Sequence, residues 1–463
     1  MGGRKRFPIL LAVAVAFSLF LVFVRIQTQS SSLSDVLKQE EERVNALNSR
    51  LGDLNEQLQH GRKEIQELKS QLELQMQHIE SDHINFLRHK AVLLKDLKEQ
   101  LKENGTLSRW TKPIPVLVFV CNRAEAIRNH LEKLIKYRPS VEQFPIYVSQ
   151  DCDSEDVANE VTKFGDQVHY MKFLSGEKAN ISVPLDQKKY VTYYRIARHY
   201  KLAMQQIFDK LHHSSVIITE DDLDISEDFF SYFAATRPLL DKDPTLYCVT
   251  AWNDNGKMEV IDTKGSDILY RTDFFAGLGW MMTSDLWKEF GPKWPAGFWD
   301  DWMREAEQRK SRSCIRPEIS RTGMTIQGKK GASKGLFFNT HLKKIHLNSN
   351  PVKFTQMDLS YLQKDQYDKN FVSKVESLPK LKLEEIIRKT LETRDTEESY
   401  AISYQSAQDF IKIADKLQIM KDFKAGVPRT AYKGIVTCYI SKMRIYIVPD
   451  KFTWHGYKPH WED

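Results

Sequence analysis

This 463-residue chain has no C-x-x-C pair, no zinc-finger spacing, no G-x-x-x-x-G-K-[ST] loop and no basic run. Each absence removes a class of function. Without cysteines and histidines at ligand spacing, no structural zinc site is expected. A net charge of +6, from 68 Lys and Arg against 62 Asp and Glu, is too dilute to mark a nucleic-acid surface. The missing phosphate loop excludes a P-loop nucleotide hydrolase, although an acid-ended strand of the kind such enzymes use is present. No A-x-A-like pattern follows the N-terminal apolar run, so nothing marks a cleaved signal peptide.

That run extends from Phe7 to Val24 behind Arg4, Lys5 and Arg6. Its 18 residues would span ~27 Å as a helix, enough for a thin bilayer. The expectation is a cytosolic tail (1–6), a transmembrane signal anchor (7–24) and a lumenal remainder, the arrangement of a single-pass type II membrane protein of the secretory pathway, which the family resemblance below places in the Golgi. Five cysteines in an oxidising lumen suggest two disulfides and one free thiol. Residues 33–79 repeat apolar positions in heptads: Leu37, Val44, Leu51, Leu58, Ile65, Leu72 and Ile79 form one column, and Leu47, Leu54 and Leu68 mark the second. This predicts a coiled-coil stem over 25–111 that pairs with a second copy, the alternative being a single charged helical spacer. Asn104 and Asn180 head glycosylation sequons.

From residue 112 strands alternate with helices. The pattern predicts strands at 115–120, 144–150, 169–173, 215–222 and 247–251, with helices at 125–137, 154–164 and 190–211 and another capped by Ser226. That is an α/β, Rossmann-like layer with a largely parallel sheet. The domain reading is a catalytic domain over 112–340, a linker over 341–364 and a smaller C-terminal domain over 365–463, whose last strands are 434–439 and 443–448.

The strand 215–222 ends in Glu220, Asp221 and Asp222. Three carboxylates at a strand end repel one another, and a hard divalent cation would relieve that repulsion. The other reading is a solvated acidic lead-in to the next helix. In a parallel sheet the carboxyl ends of neighbouring strands meet at one edge, where ligands bind. Arg123 and Asp151 follow two such strands, and Cys121 and Cys152 would come within bonding reach. A disulfide there would add ~3–4 kcal/mol in the loop-entropy model. Arg123 could hold a phosphate, and Asp151 could accept from a base N–H or a sugar hydroxyl. Lys329–Gly335 reads as a loop able to close over a diphosphate, the alternative being a plain surface turn. A second acidic pair, Asp300–Asp301, lies among Trp294, Trp299 and Trp302, whose faces would stack on sugar rings while a carboxylate acts as general base; the other reading is a helix start with Asp as cap and the tryptophans as core. His199, within the long helix, reads more readily as a packing residue.

Glu220-Asp221-Asp222, Ala251-Trp252-Asn253-Asp254-Asn255-Gly256, Phe275-Ala276-Gly277-Leu278-Gly279-Trp280, Trp299-Asp300-Asp301-Trp302 and Gly426-Val427-Pro428-Arg429-Thr430-Ala431-Tyr432 occur in this order. Together they resemble the Golgi N-acetylglucosaminyltransferase I family over about residues 112–463. The resemblance implies a GT-A fold, UDP-GlcNAc as donor, Mn2+ as cofactor and a high-mannose N-glycan as acceptor. It implies that Asp222 ligates the metal and that Arg123, Asp151, His199, Glu220, Asp221 and Ser333 bind the donor. It further implies that Asp300 is the base of an inverting transfer and that Cys121–Cys152 and Cys248–Cys314 are disulfides, with Cys438 unpaired. Two other readings stay open: a transferase acting on O-linked mannose, and a non-catalytic lectin or tether.

Overall fold

The computed structural model describes residues 7–103, 112–174, 179, 181–331, 335–392, 396–450 and 456–457. The sequon asparagines Asn104 and Asn180, and Ser333, lie outside them. The chain divides into two compact units, Met1–Trp110 and Thr111–Asp463.

The first unit holds one helix, α1 (Phe7–Glu103). Among the described residues no helix is long and apolar enough to cross a membrane. This corrects the expected anchor at 7–24 and the single-pass placement that rested on it. Further along α1 the heptad positions Leu37, Val44, Leu47, Leu51, Leu54, Leu58, Ile65, Leu68 and Leu72 are all at least half exposed.

The second unit is α/β. Its main sheet has eight strands: β1 (Val116–Val120), β2 (Ile146–Gln150), β3 (His169–Lys172), β4 (Ser215–Glu220), β6 (Leu246–Thr250), β7 (Leu269–Thr272), β8 (Trp280–Thr283) and β9 (Ser313–Pro317). The short β5 (Leu223–Ile225) and β10 (Thr322–Met324) pair beside it. The order is β3-β2-β1-β4-β8-β6-β9-β7. β3, β2, β1 and β4 are parallel, as the alternation predicts. Beyond β4 the expectation of a largely parallel sheet fails, because β8 runs antiparallel to both β4 and β6, and β7 antiparallel to β9. Strands such as β7 and β8 are four residues long. That is too short to show a period among the buried aromatics around them.

Valine- and isoleucine-rich β1 and β4 are buried on both faces because helices cover both sides of the sheet. One face packs on α2 (Ala124–Tyr137), α3 (Glu155–Thr162) and α5 (Phe229–Lys242), the other on α4 (Val191–Gln205) and α6 (Ser284–Phe290). α5 begins two residues beyond the expected Ser226 cap. Its N-cap is Asp228, whose carboxylate accepts from Ser226 and from the buried Arg321.

The C-terminal part forms its own sheet, β11 (Glu398–Tyr404), β14 (Val436–Ile440) and β15 (Met443–Pro449), beside the helix Ala407–Lys416 and the hairpin β12 (Phe423–Lys424) and β13 (Val427–Pro428). Its core is continuous with Val260 and Phe274. Cys438 is free and buried there, and burial pushes its thiol up to about 12. A thiol so held stays protonated and inert.

Candidate active site

Register fixes where the carboxyl ends of three strands meet. Val120 of β1 pairs with Gln150 of β2, and Phe119 with Glu220 of β4. The next backbone amides continue this edge: Asp151 N–H donates to Val120 and Asp221 N–H to Phe119. Asp151 and Asp221 therefore flank the end of β1. The Cys121–Cys152 disulfide closes the same edge, and Cys248–Cys314 joins β6 to β9.

The acidic triplet is a buried network. Asp221 and Asp222 are 2% and 6% exposed. The Arg123 guanidinium, at the start of α2, grips Asp221 in fork geometry and reaches Asp222 Oδ2 at 2.9 Å and the Gln327 carbonyl at 3.2 Å. Burial still wins over this ion pair at Asp221, raising its carboxyl to about 6. Burial likewise raises Glu220, reinforced by the charge of Asp222, while the Tyr200 hydroxyl donates to Glu220 at 2.8 Å and opposes the shift. Asp222 Oδ1 is buried without any hydrogen-bond partner. An orphaned carboxylate oxygen is costly, and it is the hard donor that a Mg2+ or Mn2+ ion takes from a protein when substrate phosphates complete its shell. Among the described residues no group of three metal-ligating side chains exists. One protein carboxylate is consistent with that type of site.

The loop after β10 is tied to the triplet. Thr325 donates from its amide and its hydroxyl to the Asp222 carbonyl, at 2.9 and 2.8 Å. A Cβ at Gly328 would collide with Met324 and come within 3.6 Å of Asp222 Oδ2, so glycine permits this approach. Lys329 and Lys330 follow, exposed.

Asp151 is 7% exposed, with Arg198 at 3.4 Å. Burial raises its carboxyl to about 6 against the pull of Arg198 and Arg195. His199 bonds Ser149 at 2.7 Å and lies edge-on to Phe119. Burial lowers its ring to about 3, so it is neutral, and it sits as a packed, hydrogen-bonded residue under the strand ends.

Asp300 opens the short helix α7 (Trp299–Arg304) and its side chain is 42% exposed. Arg304 Nη1 holds Asp300 at 3.0 Å and Asp301 at 2.8 Å, and Lys424 of β12 approaches Asp301 at 3.4 Å. Arg304 is itself anchored on the Phe275 carbonyl at 2.9 Å. The tryptophans depart from the expected sugar platform. Trp294 and Trp299 are 6% and 7% exposed and stack on each other, and Trp299 continues onto Tyr200 and Trp280. Trp302 turns onto Phe290 and Trp294. Trp294 and Trp299 are core because indole burial outweighs the single N–H each must satisfy, and Trp302 is half-buried against them.

Tyr200 touches both acidic clusters' surroundings: its hydroxyl donates to Glu220, and its ring stacks on Trp299, the residue before Asp300. Burial raises its phenol well above the usual range, and the charges of Glu220, Asp300 and Asp222 all push the same way. Residue patterns did not single out Tyr200. Its signal was the recurrence of Tyr193, Ala197 and Tyr200 at helical spacing, which reads equally well as core.

The GNT-I family model matches residues 11–461. This chain belongs to the GNT-I family. An Arabidopsis thaliana relative named alpha-1,3-mannosyl-glycoprotein 2-beta-N-acetylglucosaminyltransferase is 37% identical over 369 residues, 78% of this chain and 80% of the relative. Among solved structures, the mannosyltransferase PcManGT from Pyrobaculum calidifontis, in complex with GDP-Man and Mn2+, is 15% identical with a TM-score of 0.30, covering 45% of this chain and 55% of that one. S. aureus TarS in complex with UDP-GlcNAc is 11% identical with a TM-score of 0.33, covering 57% and 67%.

Proposed function

We infer that this chain is an inverting glycosyltransferase that moves GlcNAc from UDP-GlcNAc, in β-1,2 linkage, to the α-1,3-arm mannose of a high-mannose N-glycan. Family membership and the named relative support the reaction class. The observation that carries the site is that Tyr200 links the two acidic clusters, its hydroxyl donating to Glu220 of the buried triplet at 2.8 Å and its ring stacking at 4.2 Å on Trp299, the residue before the half-exposed Asp300. A nucleotide sugar needs both environments, a buried polar end for the diphosphate and an open carboxylate for the acceptor.

The assignment of roles follows the environments. Asp222, with its orphaned oxygen, would hold Mn2+. When bound, the cation supplies positive charge against the leaving diphosphate. Asp151 accepts from the base or ribose, and Glu220 and Asp221 face the donor across Arg123. His199 supports the floor through Ser149. The loop carrying Lys329, Lys330 and Ser333 covers the diphosphate. Asp300 takes the proton of the acceptor 2-hydroxyl as that oxygen attacks the anomeric carbon from the face opposite UDP. One base and no covalent nucleophile suffice for a single displacement. The domain reading, a GT-A layer over 112–340 with a C-terminal domain over 365–463, and a stem that pairs with a second copy belong to the same proposal.

The test is UDP-GlcNAc turnover with and without Mn2+, offering a five-mannose N-glycan and an O-mannosyl peptide in parallel. Mn2+-dependent transfer to the N-glycan alone is expected. Transfer to the peptide alone would reassign the acceptor, and no transfer to either would remove the enzymatic reading.

A further inference from the structure

With Trp294 and Trp299 buried in the core and Trp302 packed on Phe290 and Trp294, a different aromatic surface lies next to the base. The Tyr193 and Phe298 rings stack at 5.0 Å and 16°. Tyr190 meets Phe298 edge-on at 5.6 Å and Tyr193 at 6.2 Å. Tyr190 is 40% exposed and the other two are half-buried.

Local sequence builds this patch. Tyr190, at the N-cap of α4, with Tyr193, Tyr194, Ala197 and Tyr200 at helical spacing, lays aromatic groups along one face. The turn before α7 rests on that face because residue 297 is glycine. A Cβ there would stand 3.0 Å from the Tyr194 ring. Phe298 then adopts a left-handed backbone, φ 52°, which a bulky residue takes only when its surroundings enforce it. That strained residue places its own ring on Tyr193 and starts the helix whose second residue is Asp300. Trp299, between Phe298 and Asp300, stacks on Tyr200 at 4.2 Å, and the Tyr200 hydroxyl donates to Glu220 at 2.8 Å. Asp300 thus follows directly on two residues, Phe298 packed on the aromatic patch and Trp299 packed on the Tyr200 that bonds the acidic triplet.

A pyranose presents apolar C–H faces and a polar rim of hydroxyls. Half-exposed rings beside a carboxylate offer matching surfaces, an apolar shelf and an acceptor for one hydroxyl. We propose that Tyr190, Tyr193 and Phe298 form the shelf on which a mannose ring of the acceptor lies, with its reacting hydroxyl directed at Asp300. This deepens the reading above and rests on it for the identity of the sugar.

The experiment uses the full chain carrying Tyr190→Ala and Tyr193→Ala together, and Tyr193→Phe separately. Acceptor KM is measured against UDP-GlcNAc affinity. A five-mannose oligosaccharide is also titrated, with UDP and Mn2+ present, by saturation-transfer NMR. The double variant is expected to raise acceptor KM roughly tenfold or more with donor affinity unchanged and to lose saturation transfer, while Tyr193→Phe keeps both near wild type. An acceptor KM within twofold of wild type, unchanged saturation transfer, or a parallel loss of donor affinity would overturn the shelf. Wild-type binding that depends on these tyrosines without any GlcNAc transfer would instead refute the enzymatic reading and leave the shelf standing.

Discussion

Asp222 and Asp300 are both aspartates at the start of a polar turn, yet their surroundings separate their work. Asp222 is buried, shares Arg123 with Asp221 and keeps one oxygen unpaired. Removing that oxygen by Asp222→Ala should abolish the Mn2+ dependence of UDP-GlcNAc binding, measured by calorimetry with and without the ion. Unchanged metal dependence would move the ligand elsewhere. Asp300 is open to solvent and held by one arm of Arg304. Asp300→Asn keeps the shape and the approach of Arg304 but cannot take a proton, so kcat should fall by roughly 10²–10⁴ with donor affinity retained. A near-normal kcat would remove Asp300 from the chemistry. Residue types marked both positions, because an acidic end to an apolar strand and an acidic pair among tryptophans are rare patterns. The partners were not legible. Arg123 reads from sequence as a phosphate ligand, whereas the structure engages it with two carboxylates. That preference depends on the β1–β4 register and on the Gln327 carbonyl, some 200 positions away in the chain.

Elements were legible where their period was long. β1 to β4 and the helices between them fall within a few residues of the pattern, since valine-rich strands and amphipathic helices advertise themselves. The antiparallel insertion of β8 was not, because four residues carry no period and their pairing is decided by β4 and β6 on either side. α1 is the opposite case, a long helix whose apolar stripe has no covering surface in its own helix. Leu47, Leu51, Leu54 and Leu58 are 50–71% exposed. A second copy in parallel would cover them as a and d residues. Sedimentation equilibrium of the full chain should therefore give a dimer, and Leu51→Asp with Leu58→Asp should give a monomer with unchanged turnover. A monomeric wild type would leave α1 as a charged spacer.

Across the whole molecule, acid sensitivity is built into the sheet. His130 of α2 is 2% exposed, near Thr219 at 3.2 Å, and burial lowers its ring to about 4 despite the nearby Asp224. In the unfolded chain the same ring titrates near its ordinary value of about 6.5. Between these values the unfolded state binds a proton that the folded state refuses, so stability is full above about pH 6.5 and declines as pH falls toward 4. At one pKa unit per ~1.4 kcal/mol, this single group would withdraw roughly 3 kcal/mol, a large share of a typical domain's margin. Buried carboxylates act in the other direction. Asp151, raised to about 6 by burial, favours the folded state more as it gains its proton, and so partly offsets the loss. Urea unfolding across pH 4–7 measures the balance. His130→Asn removes the titrating ring while keeping a polar side chain for Thr219. It should lower stability at pH 7 through lost packing yet flatten the slope between pH 6.5 and 4. An unaltered slope would mean that another buried group, His199 first among them, sets the acid limit.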